Sequence, residues 1–184
     1  MIAYKGFEKN LTCRGYHFTT DGINRTKEAN CRRNGLHCAE NPLDCLTHYP
    51  KWDCSVYYIV EALGDVDETD RDSQIACTEL RLLKELTLQE LLLEGAGYMA
   101  KYPERCWSEI VRKESGTASN GYVIVRGKNP TARGRMGSVL VLVREEYGNA
   151  NIRDISVFQI DGKKYLPDTW YDIDGILFKR KETA

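Results

Sequence analysis

The sequence has no apolar stretch long enough to cross a lipid bilayer. Its longest uninterrupted aliphatic run is Val139–Val143, whereas a membrane-spanning helix needs roughly 20 apolar residues. The first residues, MIAYKGFEKN, contain no apolar core behind a basic stretch and therefore do not resemble a secretory signal. From these two absences we expect an intracellular protein that makes no membrane contact.

Short motifs for phosphate and metal binding are also missing. No GxxxxGK[ST] loop and no GxGxxG after a strand occurs, and there is no CxxC or HxxxH pair. Structural zinc sites bring their ligands in close pairs, whereas the cysteines between residues 31 and 54 are more widely spaced. The candidate ligands are Cys31, His37, Cys38, Cys45 and Cys54. We therefore expect neither a metal nor a cofactor.

The seven cysteines are an odd number and cannot all pair within one chain. Because the cytosol keeps thiols reduced, a disulfide framework is not expected. Cys38 and Cys45 are best interpreted as small buried apolar residues. A cysteine nucleophile paired with His17, His37 or His48 stays open, since such partners meet in space and not in sequence.

Acidic residues are concentrated in one part of the chain. The net charge is −1, but residues 61–114 alone carry −6. The run EALGDVDETDRD supplies the candidate partner-binding acids Asp65, Asp67, Glu68, Asp70 and Asp72. One interpretation is a solvated loop between two strands. The other is a surface that imitates nucleic-acid phosphates and docks on a basic groove.

Alternation and capping signals predict the elements of the N-terminal half. SVYYIVEAL, residues 55–63, and QIACTELRLL, residues 74–83, read as paired strands. Thr87 and Glu90 form a capping box that begins a helix over residues 88–99. Asn41 is expected to cap a shorter helix, and a further helix is expected after Pro103 through Trp107.

From Ser115 onward the composition shifts to small residues punctuated by glycine, which is typical of degenerate β-roll rungs. Asp161-Gly162 and Asp174-Gly175 predict two hairpins with type I′ turns. The basic residues of this segment are the second set of candidate partner contacts, for a nucleic-acid backbone or an acidic surface. They are Arg126, Lys128, Arg133 and Arg135.

Together these patterns predict an α+β fold in two units. Residues 1–114 are expected to form a mixed sheet with helices, and residues 115–184 a β-rich unit of degenerate β-roll rungs and two hairpins.

Several motifs, in order, resemble a family of uncharacterised bacteriophage and prophage proteins. They are AYKGF, LTCRGYHF, GLHCAENPLDCL, YIVEALGDV, IACTELRLLKELTLQEL, ARGRMGSVLVL and the closing IDGKKYLPDTWYDIDG. In that family, Ala/Gly/Ser-rich repeats separate an N-terminal α+β unit from a C-terminal strand pair. This sequence has few repeats and an additional segment around residues 102–113.

The resemblance implies a protein that acts on host machinery in the cytoplasm of an infected bacterium. The expected function is a non-catalytic inhibitor that binds a host nuclease or nucleoprotein complex, with a CRISPR-Cas nuclease as the expected target. One alternative is an ADP-ribosyltransferase-like enzyme, whose fold would place Arg14 or Lys5 at the pyrophosphate, His37 at the nicotinamide and Glu79 as the acid. Another is a phage structural or assembly protein.

Overall fold

The computed structural model of the chain describes residues 1–68, 73–105 and 108–177. It is strand-rich, with 49% of residues in strands and 13% in helices. The expected combination of strands with a few helices is confirmed, but the fold is mostly β and not clearly α+β. Two compact units, Met1–Leu91 and Leu92–Ala184, divide the chain. The boundary expected after residue 114 falls inside a strand of the second unit.

The first unit contains seven strands and one short α-helix, and a second α-helix begins within it. The strands are β1 (Ile2–Glu8), β2 (Thr12–Cys13), β3 (Tyr16–His17), β4 (Asn24–Arg25), β5 (Leu36–Ala39), β6 (Ser55–Glu68) and β7 (Gln74–Leu86). β6 and β7 are the two strands predicted over 55–63 and 74–83, and both extend beyond the predicted residues.

The main sheet of this unit has the order β4-β7-β5-β1-β6, with an additional pairing of β7 with β6. The pairings of β1, β5, β7 and β6 therefore form a closed circuit. Every described pair in this sheet is antiparallel, so the expected mixed sheet is wrong. β6 and β7 are successive strands of one hairpin, and a tight hairpin connection joins antiparallel strands.

The short helix has its N-cap at Leu43, without a side-chain cap, and not at the predicted Asn41. Ahead of α1 (Asp44–His48), the Leu43 N–H donates to Asn41 Oδ1 at 3.1 Å. α1 buries Cys45 and Leu46, and a 3-10 turn, Trp52–Cys54, leads into β6.

The longer helix, α2 (Leu88–Lys101), begins with the predicted capping box. The Thr87 N–H donates to Glu90 Oε2 at 2.8 Å, and the Glu90 N–H donates to Thr87 Oγ1 at 3.2 Å. The helix predicted after Pro103 is not formed by the described residues on either side of Cys106 and Trp107, and those two residues lie outside the described part of the chain. No helix of the described ranges combines the length and apolar character that a bilayer crossing requires.

The second unit contains one four-stranded sheet in the order β11-β10-β9-β8. Its strands are β8 (Val111–Thr117), β9 (Tyr122–Arg133), β10 (Val139–Glu145) and β11 (Ile152–Gln159). β8 and β10 each pair with β9 in parallel, as in Val111 with Ile124 and Tyr122 with Val139. The chain thus coils, and each parallel strand follows the previous one after a short turn. Val125, Leu140 and Leu142 are fully buried in its core.

The two type I′ hairpins predicted for the C-terminal segment are not formed. Gly162 and Gly175 have positive φ, but the aspartates before them do not, and a type I′ turn requires both. Instead, Asp161 Oδ1 accepts the N–H groups of the three residues 163–165 in a compact turn. At the second turn, Tyr171 and Leu177 pair in an antiparallel bridge, and the part of the predicted strand beyond Leu177 lies outside the described residues. Side-chain capping by aspartate thus takes the place of hairpin pairing at the first turn.

Candidate functional site: an acidic strip on the first unit

The exposed end of β6 carries three of the five predicted acidic contacts. Asp65, Asp67 and Glu68 are all exposed and form what we call the acidic strip. Asp70 and Asp72 lie outside the described residues. The strip stands on a hairpin strand, opposite the first residues of β7.

A glycine bulge and one hydrogen bond position the acidic strip. The β6–β7 register shifts between Leu63 and Val66, and Gly64 has φ +70° with no room for a side chain, because a Cβ there would lie 2.2 Å from Thr78 Oγ1. The Thr78 hydroxyl oxygen accepts a hydrogen bond from the Asp65 N–H at 2.9 Å. Such a bulge bends its strand and redirects the side chains that follow.

The Asp67 carboxylate is fixed by the loop before β5. Its Oδ2 accepts the Cys31 N–H at 2.7 Å. A carboxylate held by a backbone amide has lost rotamer freedom already, so less entropy is lost when a partner binds.

Acidic residues nearer the base of the hairpin are neutralised by neighbouring arginines. Glu61 pairs with Arg81 at 3.0 Å, and Glu79 pairs with Arg25 at 3.0 Å. By contrast, neither Asp65 nor Glu68 forms an ion pair within the described ranges. Among the described residues, the negative charge of the hairpin is therefore not paired at Asp65 and Glu68.

The residues proposed for ADP-ribosyl transfer are only partly brought together. Burial and then the charges of Lys5 and Arg14 lower the pKa of His37, so these groups are near one another. His37 Nε2 accepts the Arg32 N–H at 3.2 Å. Glu79 is engaged with Arg25 instead. The enzymatic alternative stays a prediction.

Lys5 is a buried residue of the first unit and is only 5% exposed. Its Nζ donates to the His37 carbonyl oxygen at 2.6 Å and lies 3.7 Å from Cys13 Sγ. The rings of Phe7 and Phe18 lie 5.1 and 5.0 Å from the same nitrogen, in cation–π range. The ammonium is thus enclosed by protein groups, which leaves no room beside it for the expected pyrophosphate.

Cys13 shows what sequence reasoning missed in this region. It lies in a two-stranded hairpin with β3, and Arg14 and Gly15 both have positive φ, as a type I′ turn requires. The Tyr49 hydroxyl donates to Cys13 Sγ at 3.0 Å. An arginine at the first turn position gave no hairpin signal, because L-residues with side chains disfavour positive φ.

The other thiols are mostly interior residues, as the sequence suggested. Cys38, Cys45 and Cys77 are buried, and burial raises the pKa of Cys45 to about 12. All six cysteines of the described ranges are free. Over the same ranges, no three His, Cys, Asp or Glu side chains group so that they could hold a metal ion.

The predicted basic patch of the second unit is divided between interior and surface. Arg126 is fully buried, and its Nε lies 2.8 Å from Glu145 Oε1. Its Nη2 donates to the Pro103 and Ala150 carbonyl oxygens, both at 2.8 Å. As a buried clasp, Arg126 is not part of a partner surface.

Three basic residues of that patch remain accessible. Lys128 is exposed beside the Tyr147 ring, 5.0 Å from its centroid. Arg133 is half-buried, donates to Thr117 Oγ1 at 3.1 Å and lies over the Trp170 ring. Arg135 is exposed.

Residues 1–94 match the model of a family described as a domain of unknown function, DUF7666. The chain belongs to this family. No curated protein and no solved structure matches the chain. The DUF7666 region contains the acidic strip and the hairpin that carries it, whereas Lys128, Arg133 and Arg135 lie outside it. Of the two sets of predicted contacts, only the acidic one therefore belongs to the shared domain.

Proposed function

We propose that the protein is a non-catalytic inhibitor of phage origin that binds a bacterial host macromolecule and blocks it. The observation that carries the proposal is the acidic strip, which is exposed, is held in place by the Gly64 bulge and the Cys31 N–H, and forms no ion pair at Asp65 or Glu68 among the described residues. The target we propose is a CRISPR-Cas nuclease in the host cytoplasm.

Electrostatics connects the acidic strip to this class of target. Nucleases and nucleoprotein complexes carry basic surfaces that track phosphates. Fixed carboxylates along a strand can occupy such a surface and exclude the nucleic acid. Charge complementarity of this kind mainly raises the association rate and the selectivity, and it weakens as salt shortens the range of the field to about 8 Å at physiological ionic strength.

The second unit adds support of a different kind. The parallel coil of β8, β9 and β10 has the pairing expected of degenerate β-roll rungs, which is the repeat feature in the phage-family resemblance. We propose that Lys128, Arg133 and Arg135 make a secondary contact with an acidic surface or a bound nucleic acid, since basic and aromatic side chains lie together there.

A charge-neutralised variant tests the proposal. Asp65, Asp67, Glu68, Asp70 and Asp72 are changed together to Asn or Ser. The matched control removes five exposed carboxylates elsewhere, at Asp21, Asp53, Glu104, Glu109 and Asp168. Both variants are compared with the wild type in binding to a guide-loaded Cas nuclease and in inhibition of target DNA cleavage.

We expect the acidic-strip variant to lose binding and inhibition and the control to retain both. Binding by the wild type should weaken steeply with added salt. Unaltered binding by the acidic-strip variant would show that the mechanism is wrong. If no Cas nuclease binds, the same pair of variants is used to capture partners from host lysate, and a partner that both retain equally also contradicts the mechanism.

A further inference from the structure

A small cleft on the second unit is lined by polar groups that the proposed function does not use. Its volume is about 180 Å³, below the roughly 300–1,000 Å³ typical of sites for drug-sized ligands. It is therefore suited to one side chain or one small molecule. The lining residues are Asn129, Pro130, Thr131, Arg144, Asp172, Ile173 and Asp174.

Thr131 is the feature that points to a ligand. It is only 6% exposed, lines the cleft, and its hydroxyl has no hydrogen-bond partner among the described residues. The oxygen is not fully enclosed, so a polar group that enters the cleft can donate a hydrogen bond to it.

The charges in the cleft favour a cation. Arg144 is occupied mainly by Asp154, with Nη2 to Oδ2 at 2.6 Å, and lies farther from Asp174, at 3.6 Å. Asp172 Oδ1 accepts the N–H groups of Asp174 and Ile176, and its second oxygen has no partner within the described residues. Asp172 and Asp174 therefore leave the cleft net negative.

The number and type of acceptors fit an ammonium better than a metal ion. An alkylammonium has three donors, and Asp172 Oδ2, the Asp174 carboxylate and Thr131 Oγ1 offer three acceptors. Calcium takes 6–8 oxygen ligands. Pro130 and Ile173 are buried apolar walls against which a methylene chain can pack.

We propose that this cleft binds a primary alkylammonium group, as carried by a lysine side chain of a partner protein or by a free diamine. The site is independent of the acidic strip, because it lies in the other unit and uses none of the same residues.

Three probes test this site by their effects on amide NMR signals of the full chain. Nα-acetyl-lysine amide presents the side-chain ammonium alone, Nα-acetyl-norleucine amide presents a similar stem without it, and cadaverine is a free diamine. We expect saturable shifts of the amide signals of residues 129, 131 and 172–174 with the lysine amide or the diamine and none with the norleucine amide. Stronger binding of one of the two amines identifies the source of the ligand.

Variants then assign the contacts. Asp174→Asn and Asp172→Asn should each weaken binding about tenfold, since each removes a charge-assisted contact. Asp172→Asn keeps the Oδ1 acceptor of the turn, so the fold is retained. Thr131→Val should weaken binding about two- to tenfold. Asp168→Asn, an equal charge change outside the cleft, should have no effect.

Equal shifts with the norleucine amide would overturn the proposal, as would equal weakening by Asp168→Asn or no saturable shift with either amine. None of these outcomes bears on the acidic strip.

Discussion

Each of the two units buries one cation, and the two are satisfied differently. In the first unit, Lys5 is held by a carbonyl oxygen and two aromatic faces, with no carboxylate paired to it among the described residues. In the second, Arg126 meets the Glu145 carboxylate and two carbonyl oxygens from separate segments. In the second unit, the buried Arg126 joins separate segments and is paired with a carboxylate. In the first unit, no carboxylate of the described residues would lose its partner if Lys5 were removed.

The same difference extends to the surface. In the second unit, Arg144 is bound to Asp154, and Arg133 is bound to Thr117 and Trp170. In the first unit, Asp65 and Glu68 of the acidic strip form no ion pair among the described residues. The acidic strip lies in the DUF7666 part of the chain, whereas the exposed Lys128 and Arg135 lie outside it.

The largest expected effect is that of Arg126→Met. It leaves the half-buried Glu145 carboxylate without its counter-charge, and we expect the free energy of unfolding to fall by about 3–5 kcal/mol. Denaturant unfolding followed by circular dichroism measures the change. The double variant Arg126→Met with Glu145→Met should recover part of the loss, because no buried charge is then uncompensated. A loss below about 1 kcal/mol would contradict the clasp.

Lys5→Met should lower the free energy of unfolding less than Arg126→Met, and it is the matching variant of the first unit. Its side chain fills the same space and no carboxylate is left alone, so the cost is the unpaired His37 carbonyl oxygen, about 1–3 kcal/mol. The same unfolding measurement applies. If Lys5→Met costs as much as Arg126→Met, the difference between the two buried cations is not real.

The capping box at the start of α2 allows a third comparison, because its Glu90 is also paired with the exposed Lys84. Thr87→Ala removes one half of the capping box and should cost about 1 kcal/mol, within a usual range of about 0.5–2 kcal/mol. Lys84→Met removes only the exposed partner of Glu90, which lies 2.7 Å away, and should cost less, because exposed ion pairs contribute little. Thermal unfolding of both variants tests the order, and the reverse order would contradict it.

The pH dependence of the same cap can be measured separately. The Lys84 ammonium, followed by the Thr87 N–H and hydroxyl, lowers the pKa of Glu90 from 4.5 to about 2. Since the folded pKa is the lower one, the stabilisation is complete above pH 4.5 and is lost as the pH falls through about 2. The loss of stability between pH 4.5 and about 2 should be smaller in Glu90→Gln than in the wild type. An unchanged pH profile in that variant would contradict the assignment.

The smallest expected effect concerns His37, whose pKa is lowered by burial and by Lys5 and Arg14. The unfolded chain binds this proton more readily, so stability should fall as the pH drops below 6.5. Lys5→Met should raise the pKa of His37, as measured by ring NMR signals, and flatten that fall. Lys84→Met serves as the control. An unchanged His37 titration in Lys5→Met would show that the lysine charge does not act on this ring.

Local signals were sufficient for much of the fold and for part of the site. Alternation predicted β6 and β7, and the capping box of Thr87 and Glu90 marked the start of α2, because these features depend on residues close in sequence. The N-cap predicted at Asn41 is displaced to Leu43. Exposure of the acidic strip followed from the same kind of local pattern. Its fixation by the Cys31 N–H could not be predicted, since the two groups are 36 residues apart.

Long-range pairing accounts for what the sequence did not reveal. Arg126 was expected at the surface, because its partner Glu145 lies on another strand of the coil and gives no local signal. The closed antiparallel circuit of the first unit depends on β7 meeting both β5 and β6. Asp174 was interpreted only as a turn residue and Asp172 was not singled out, although both line the cleft of the second unit.

The most direct test compares the two units as sources of partner contacts. Binding of the wild type to a guide-loaded Cas nuclease is measured as a function of salt, beside the acidic-strip variant and a variant with Lys128, Arg133 and Arg135 changed to Gln. We expect the acidic-strip variant to bind weakly with little salt dependence, and the basic variant to retain most of the binding and its salt dependence. If the acidic-strip variant keeps wild-type affinity and salt dependence, the first unit is not the functional surface and the proposed function is wrong.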